Sequence, residues 1–185
     1  MKRIVQTLII TACLGSAAPM AFGQGAVGFA NNPTARIIDG QTGAPAASSA
    51  GYTVGLYWST DAAGEYRLGA TTPIGNIAGI FNNGGSPAII DGADVGASVF
   101  VIVRAWTGGH DSYEAALLDS AAFVGSSNPT SALTLVQPGG TSPAQNLVVN
   151  GGLQGFTTTA VPEPSTIAFG IMGGIGALML MRRRK

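Results

Sequence analysis

The residues of this sequence that could carry out chemistry are few, and none stands in a pattern typical of an enzyme. His110 is the single histidine, and Asp111 and Ser112 follow it directly. Nucleophilic catalysis needs a base within hydrogen-bond reach of an activated hydroxyl, and the members of a catalytic triad come from separate chain segments. We therefore interpret the trio as a loop, and a small hydrolase is kept only as an alternative.

Carboxylates are the other candidate groups. Glu65 and Glu114 are the only glutamates between residues 24 and 160, and nothing in the sequence brings them together as the acid–base pair that glycosidases use. Asp39, Asp91 and Asp94 offer hard oxygen ligands of the kind that calcium takes, but Asp-Gly is first of all a turn dipeptide. We predict a protein that is not an enzyme, with no catalytic residue, no cofactor and no metal site.

Aromatic residues leave one binding function open. Trp58, Trp106, Tyr57 and Tyr113 could stack against sugar rings, although aromatic side chains on the strands of a small domain are more often core. A carbohydrate-binding module is therefore an alternative hypothesis, and solvent exposure of either tryptophan would favour it.

The composition of residues 24–160 favours strands. This stretch has no lysine and only two glutamates, whereas Val, Ile, Thr and aromatic residues recur in short runs separated by Gly, Asn, Pro and Ser. In the run 52–58, alternation places Tyr52, Val54, Leu56 and Trp58 on one face, while the run 99–106 is apolar on both faces and predicts a central strand.

Weaker signals complete the predicted fold. Asp39-Gly40 and Asp91-Gly92 predict turns, and the alanine- and leucine-rich residues 114–122 predict a helical turn. We predict an all-β fold, a small β-sandwich with jelly-roll or immunoglobulin-like packing over residues 24–160. The further strands are predicted at residues 26–30, 35–38, 66–70, 88–90, 121–124, 132–136, 147–149 and 155–159.

One sequence pattern occurs twice. Phe29-x-Asn31, followed by Ile37-Ile38-Asp39-Gly40, returns as Phe81-x-Asn83, followed by Ile89-Ile90-Asp91-Gly92. A duplicated half-domain would produce this pattern. Chance would also produce it in a chain so rich in glycine and asparagine, and both explanations stay open.

The distribution of charge makes nucleic acid a poor partner. The formal net charge is zero, but six of the nine basic residues lie at the two ends of the chain. Residues 24–160 have three arginines against eight acids, a net charge of about −5 (3 − 8). A nucleic-acid-binding domain would instead carry a basic patch.

The N-terminus has the three parts of a secretory signal peptide: basic residues 1–3, an apolar run over residues 4–14, and small residues up to Gly23. We predict cleavage between Gly23 and Gln24. Pro19 interrupts the apolar run well before the roughly 20 residues that span a bilayer, which argues against a membrane anchor.

The single cysteine, Cys13, lies inside this predicted signal peptide. A lipidated cysteine after Ile10-Thr11-Ala12 is the alternative, although the apolar run before it is short. Cleavage after Gly23 would leave an exported body without any disulfide, held by burial and backbone hydrogen bonds alone.

The C-terminus ends in an apolar run and a basic cluster. Residues 167–181 carry no charge, and Arg182, Arg183, Arg184 and Lys185 follow at once. A helix over the run would be roughly 22 Å long, slightly short of the roughly 30 Å hydrocarbon core. We predict a single transmembrane helix whose C-terminus stays cytoplasmic, because positive ends remain inside, and whose body lies outside.

Pro162-Glu163-Pro164 stands just before this predicted helix. The two prolines favour an extended, exposed backbone. A Pro-Glu-Pro motif, a short apolar helix, an arginine cluster and the chain end, in this order, resemble the PEP-CTERM sorting signal of Gram-negative bacteria. An ordinary tail anchor with an incidental proline pair is the alternative.

The resemblance implies how the protein is handled. An exosortase, an integral membrane protease of the transpeptidase type, would recognise residues 161–185, cut near Pro162–Pro164 and pass the body to the cell surface. It implies transient residence in the inner membrane and a link to extracellular polysaccharide and biofilm. From this we expect an exported cell-surface or extracellular-matrix protein without evident catalysis.

Overall fold

The structure is a computed structural model that describes residues 24–163, and over this range the fold is all-β. One short 3₁₀ helix (Ser48–Ala50) and one short α-helix, α1 (Tyr113–Ala116), accompany the strands within this range. The strands are β1 (Gln24–Val27), β2 (Ile37–Ile38), β3 (Thr53–Ser59), β4 (Arg67–Pro73), β5 (Ala88–Asp94), β6 (Ser98–Trp106), β7 (Phe123–Ser126), β8 (Leu133–Thr134), β9 (Phe156–Thr157) and β10 (Thr159–Ala160).

The largest sheet is organised around β6. Its strand order is β10-β7-β6-β3-β4, and β8 pairs with the first residues of β6. β3 runs antiparallel to β6 from the Thr53–Trp106 pair to the Ser59–Phe100 pair. The prediction of a central strand at residues 99–106 is therefore confirmed, because β6 has neighbours along both edges.

Two polar side chains fill a gap along β6 between β7 and β8. Ser127 Oγ accepts a hydrogen bond from the Val103 amide at 3.0 Å, and Thr130 Oγ1 accepts one from the Val101 amide at 3.0 Å. The amides of Ser127 and Thr130 donate in return to the carbonyls of Val103 and Val101. The backbone N–H and C=O groups of Val101 and Val103 thus have hydrogen-bond partners where no strand pairs with this edge of β6.

Two smaller sheets complete the fold, β1 with β5 (antiparallel) and β2 with β9 (parallel). The turn predicted at Asp91-Gly92 is wrong, since both residues lie within β5. The β1–β5 register shifts between Gln24 and Gly25, and Gly92 has a φ of 83°. Asp91 and Gly92 therefore lie in a bulge of β5 opposite β1. Glycine suits this position because it adopts a positive φ without steric cost.

Side chains alternate between the two faces of the largest sheet. Tyr52, Val54, Leu56 and Trp58 all face one buried cluster, as the alternation predicts. The same cluster includes residues of β1, β2, β5, β6 and β8, so the smaller sheets and the largest sheet share a core. A second buried cluster lies on the opposite face: Tyr57, Trp106, Ala116, Ala122, Val124 and Val161.

The strand predicted at Leu147–Val149 is wrong, because these residues form a turn. Asn146 Oδ1 accepts hydrogen bonds from the amides of Val148 and Val149, at 2.8 and 3.1 Å. An asparagine side chain that captures the following amides competes with strand pairing, whatever the propensity of the residues after it. The helical turn predicted at residues 114–122 corresponds to α1, which begins one residue earlier and already ends at Ala116.

The two copies of the Phe-x-Asn pattern pair with each other. The amide of Asn31 donates to the Phe81 carbonyl at 3.2 Å, and the amide of Asn83 donates to the Phe29 carbonyl at 3.1 Å. The two phenylalanine rings also touch, with centroids 5.2 Å apart. The repeated residues are thus related by a local two-fold arrangement. Duplicated segments would show this relation, and so would any antiparallel pair.

Residues 156–161 connect the sheets at the end of the described chain. β9 pairs with β2, and β10 pairs with β7 at the edge of the largest sheet. Between them Thr158 is fully buried. Its amide donates to the Ile38 carbonyl at 2.9 Å, and its Oγ1 lies 2.8 Å from the Tyr52 hydroxyl, which donates to Asp39. We call residues 156–161 the C-terminal clasp.

Close contact with the clasp requires glycine at position 40. A Cβ atom at Gly40 would lie 1.7 Å from the Thr158 carbonyl oxygen. We expect Gly40→Ala to destabilise the body by about 3 kcal/mol, because the clasp would have to move away from β2. Gly43→Ala is the matched control in the same turn, where a Cβ meets nothing and only the positive φ costs about 1 kcal/mol. Urea unfolding of residues 24–163 measures both, and equal losses would contradict this role of Gly40.

Candidate functional site

The predicted sorting motif directly follows a buried residue. Val161 is buried in the second cluster, beside Tyr57 and Trp106, and its amide donates to the Ala122 carbonyl at 3.0 Å. Pro162 and Glu163, the next residues, are both exposed. The motif therefore starts at the first residue after the clasp.

The other predicted sorting residues cannot be placed. Pro164, the apolar run 167–181 and the basic cluster Arg182, Arg183, Arg184 and Lys185 lie outside the described residues, as does Gly23 at the predicted signal cleavage site. Gln24 is the exposed first residue of β1, and its side-chain amide donates to Asp91 Oδ1. Within residues 24–163, no helix has the length and apolarity needed to cross a bilayer.

A cluster of aromatic and charged side chains lies on the face of the largest sheet that carries the second buried cluster, which we call the outer face. The Arg104 guanidinium lies 4.3 Å from the centre of the Tyr57 ring and 4.9 Å from that of Tyr113. Arg104 also forms an ion pair with Glu114. The Tyr57 hydroxyl donates to Glu114 Oε2 at 2.8 Å and accepts a hydrogen bond from the Tyr113 amide at 3.0 Å. Strands β3 and β6 and helix α1 hold this cluster together.

Burial affects the titration of these tyrosines. It raises the pKa of Tyr57 from 10.0 to about 12, and the Glu114 carboxylate adds to this effect, whereas the Tyr113 amide opposes it. Burial also raises the pKa of Tyr113, although the Arg104 guanidinium opposes the rise. Both phenols therefore stay protonated and can act as hydrogen-bond donors well above neutral pH.

An open groove of about 580 Å³ lies next to this cluster. Both glutamates line it, so the structure brings Glu65 and Glu114 to one site, which nothing in the sequence indicated. Arg104 Nε is buried and has no hydrogen-bond partner in the described structure. The groove is lined by Tyr57, Gly64, Glu65, Tyr66, Arg67, Leu68, Arg104 and Glu114.

Among residues 24–163, the structure assembles no catalytic triad around His110. Its Nε2 lies 3.0 Å from Asp119 Oδ2, and its carbonyl accepts a hydrogen bond from Trp106 Nε1 at 2.7 Å. Ser112 Oγ instead accepts a hydrogen bond from the Ala115 amide and caps α1. The Ala121 amide and His110 hold the pKa of Asp119 below its usual value. The interpretation of His110, Asp111 and Ser112 as a loop is consistent with these contacts.

Neither tryptophan offers a stacking surface. Trp58 is 6% exposed and Trp106 is fully buried, so both belong to the core.

The aspartates considered as calcium ligands lie apart in their surroundings. Asp39 is buried and accepts hydrogen bonds from Tyr52 and the Gln41 amide, whereas Asp91 and Asp94 lie on β5. Across residues 24–163, no three histidine, cysteine or acidic side chains are grouped as metal ligands.

Comparison with known proteins gives no relative. No protein-family model matches the chain, and neither the curated proteins nor the solved structures include a significant match.

The buried tyrosines predict instability in alkali. Burial raises the pKa of both Tyr52 and Tyr57 from 10.0 to about 12. Between pH 10 and 12 the unfolded chain therefore releases protons that the folded chain retains, so the free energy of unfolding falls as pH rises. We expect Tyr57→Phe to reduce the slope of this fall, because one buried phenol is removed. Tyr66→Phe removes a less buried phenol and should reduce the slope less. Urea titrations across this range measure the slope, and a pH-independent wild type would contradict the expectation.

Proposed function

We propose that this chain is an exported cell-surface or extracellular-matrix protein without catalytic activity, sorted through a C-terminal PEP-CTERM signal by an exosortase. In this proposal residues 1–23 are the signal peptide and residues 24–160 the exported body. Residues 161–185 are the sorting signal. The helix over residues 167–181 holds the chain in the inner membrane, with its C-terminus in the cytoplasm, until the enzyme acts.

The observation that carries the proposal is the order of four features at one end of the chain: Pro162-Glu163-Pro164, a short apolar run, an arginine cluster and the terminus. The exposure of Pro162 and Glu163 directly after a packed body supports it, because a protease binds an extended, accessible peptide.

For the body we propose a β-sandwich. The core shared by the largest sheet and the β1–β5 pair supports this architecture, because two sheets that bury one set of side chains between them form a sandwich. We include jelly-roll or immunoglobulin-like packing in the proposal, as expected for short antiparallel strands joined by glycine-rich turns.

The motif itself provides the test. We expect replacement of Pro162, Glu163 and Pro164 by alanine to leave the body folded and to abolish its processing, since the extended recognition element is lost. Intact masses of the chain from a host that contains an exosortase measure this. Alanine replacements at Thr141, Ser142 and Pro143, in an exposed loop, are the control and should leave processing unchanged. Identical processed C-termini in the motif variant and the wild type would contradict the proposal.

A second candidate function is saccharide binding in the groove beside Arg104, and the composition of the groove favours it. Two arginines and two glutamates balance in charge, so the groove suits a neutral ligand rich in hydroxyl groups. Such a ligand accepts hydrogen bonds from Arg67 and Arg104 and donates to Glu65 and Glu114. Tyr66 and Leu68 add apolar surface against which a sugar ring can pack.

Neutralising Glu65 tests this second function. We expect Glu65→Gln to weaken binding of neutral extracellular polysaccharide fragments about tenfold, because one charge-assisted hydrogen bond is lost. Asp94→Asn removes a carboxylate from exposed β5 and should leave the affinity unchanged. Calorimetric titration of residues 24–163 with the fragments gives both affinities. Equal affinities for the two variants would show that the groove is not the binding site.

A further inference from the structure

We propose that the groove beside Arg104 is one half of a longer cleft, which binds several successive rings of a linear, neutral polysaccharide chain. The inference rests on saccharide binding, the second candidate function. It goes beyond that function because it assigns a second subsite and makes affinity depend on the length of the ligand.

A second hollow of about 380 Å³ adjoins the groove. Gly64, Glu65 and Arg67 line both spaces, so the groove and the second hollow meet at these residues. Each space alone has the volume of a site for one small ligand, and together they suit a chain of several sugar rings. The second hollow is further lined by Trp58, Ser59, Thr60, Asp61 and Gly92.

The cleft passes around the edge of the largest sheet. Tyr57 lines the groove and Trp58 lines the second hollow, and successive side chains of β3 point to opposite faces of the sheet. β4 is the last strand in the order of this sheet, so among residues 24–163 no further strand of the sheet blocks the passage at Arg67. A flexible chain can follow such a bend, whereas a flat, rigid ligand would occupy one face only.

The side chains at the junction can bind a ligand on both sides. Glu65 and Arg67 are exposed, and neither forms an ion pair within residues 24–163. A guanidinium has five N–H donors, and a carboxylate accepts on two oxygens. Each of the two side chains can therefore bind hydroxyl groups of two neighbouring rings.

The charge of the cleft favours a neutral chain over an anionic one. Asp61 lies in the second hollow and adds a carboxylate to those of Glu65 and Glu114. Arg67 and Arg104 are the two cations of the cleft, so its net charge is −1 (2 − 3). A polyanionic chain would be repelled, whereas the hydroxyl groups of a neutral chain can donate to all three carboxylates.

The loop between β3 and β4, which borders both spaces, is held in shape by its own hydrogen bonds. The Asp61 amide donates to Ser59 Oγ at 3.2 Å, and the Ala63 amide donates to Asp61 Oδ1 at 3.0 Å. The Tyr66 hydroxyl donates to the Ala62 carbonyl at 3.0 Å. A loop that is already ordered loses little conformational entropy when a ligand binds, so both subsites are preorganised.

Ligand length and a substitution at Asp61 test the cleft together. The probes are a disaccharide and a hexasaccharide cut from one neutral extracellular polysaccharide, and calorimetric titration of the full-length chain in detergent solution gives each affinity. We expect the hexasaccharide to bind about tenfold more tightly, because it extends from the groove to Asp61 and gains a charge-assisted hydrogen bond there. Asp61→Asn keeps the oxygen that holds the Ala63 amide. It should remove most of this advantage and leave the affinity for the disaccharide unchanged.

Asp111→Asn is the matched control, since Asp111 is exposed and lines neither space. It should leave both affinities unchanged. Equal affinities of the wild type for the two probes, or an equal loss of both affinities in Asp61→Asn, would overturn the cleft and leave saccharide binding in the groove standing. Failure of the wild type to bind either probe would overturn the second candidate function and this inference together.

Discussion

The fold depends on how its last described residues are held. The C-terminal clasp pairs with β2 on one side and with β7 on the other, and the fully buried Thr158 joins the two pairings. Strands of two residues form few hydrogen bonds, so these pairings need support from packing. The Tyr52 hydroxyl, which donates to Asp39, contacts Thr158 Oγ1, and the Gly40 amide donates to the same oxygen. Gly40 also lets the Thr158 carbonyl come close, because it has no side chain. Residues 24–163 contain no cysteine, so these contacts are not supplemented by any disulfide there.

The clasp and the groove share side chains on the outer face of the largest sheet. Tyr57 packs in the cluster that Val161 completes, and it also lines the groove with Arg104. Trp106 lies across β3 because Gly55 has no side chain; a Cβ there would lie 2.8 Å from the indole ring. Val161 and the residues that form the groove thus belong to one packed layer.

The sequence predicted what depends on local pattern. The alternation around Val54 and the long apolar run of β6 identified the two central strands, because side-chain period and hydrophobicity are properties of the segment itself. The groove could not be predicted, since Glu65 and Glu114 line it together only after β3 pairs with β6. Leu147–Val149 was misassigned because Asn146 captures the amides that a strand would use. Strands were predicted around β2 and β9, but their parallel pairing was not, because it joins segments that lie far apart in the sequence.

Native-state hydrogen exchange of residues 24–163 tests the role of the clasp most directly. The amides of Thr158 and Val161 donate to Ile38 and Ala122. If the clasp holds the sheets together, these two amides exchange only by global unfolding, with the same free energy as the Val101 and Val103 amides of β6. Exchange of Thr158 and Val161 at the rate of an unstructured peptide, while β6 stays protected, would contradict the account.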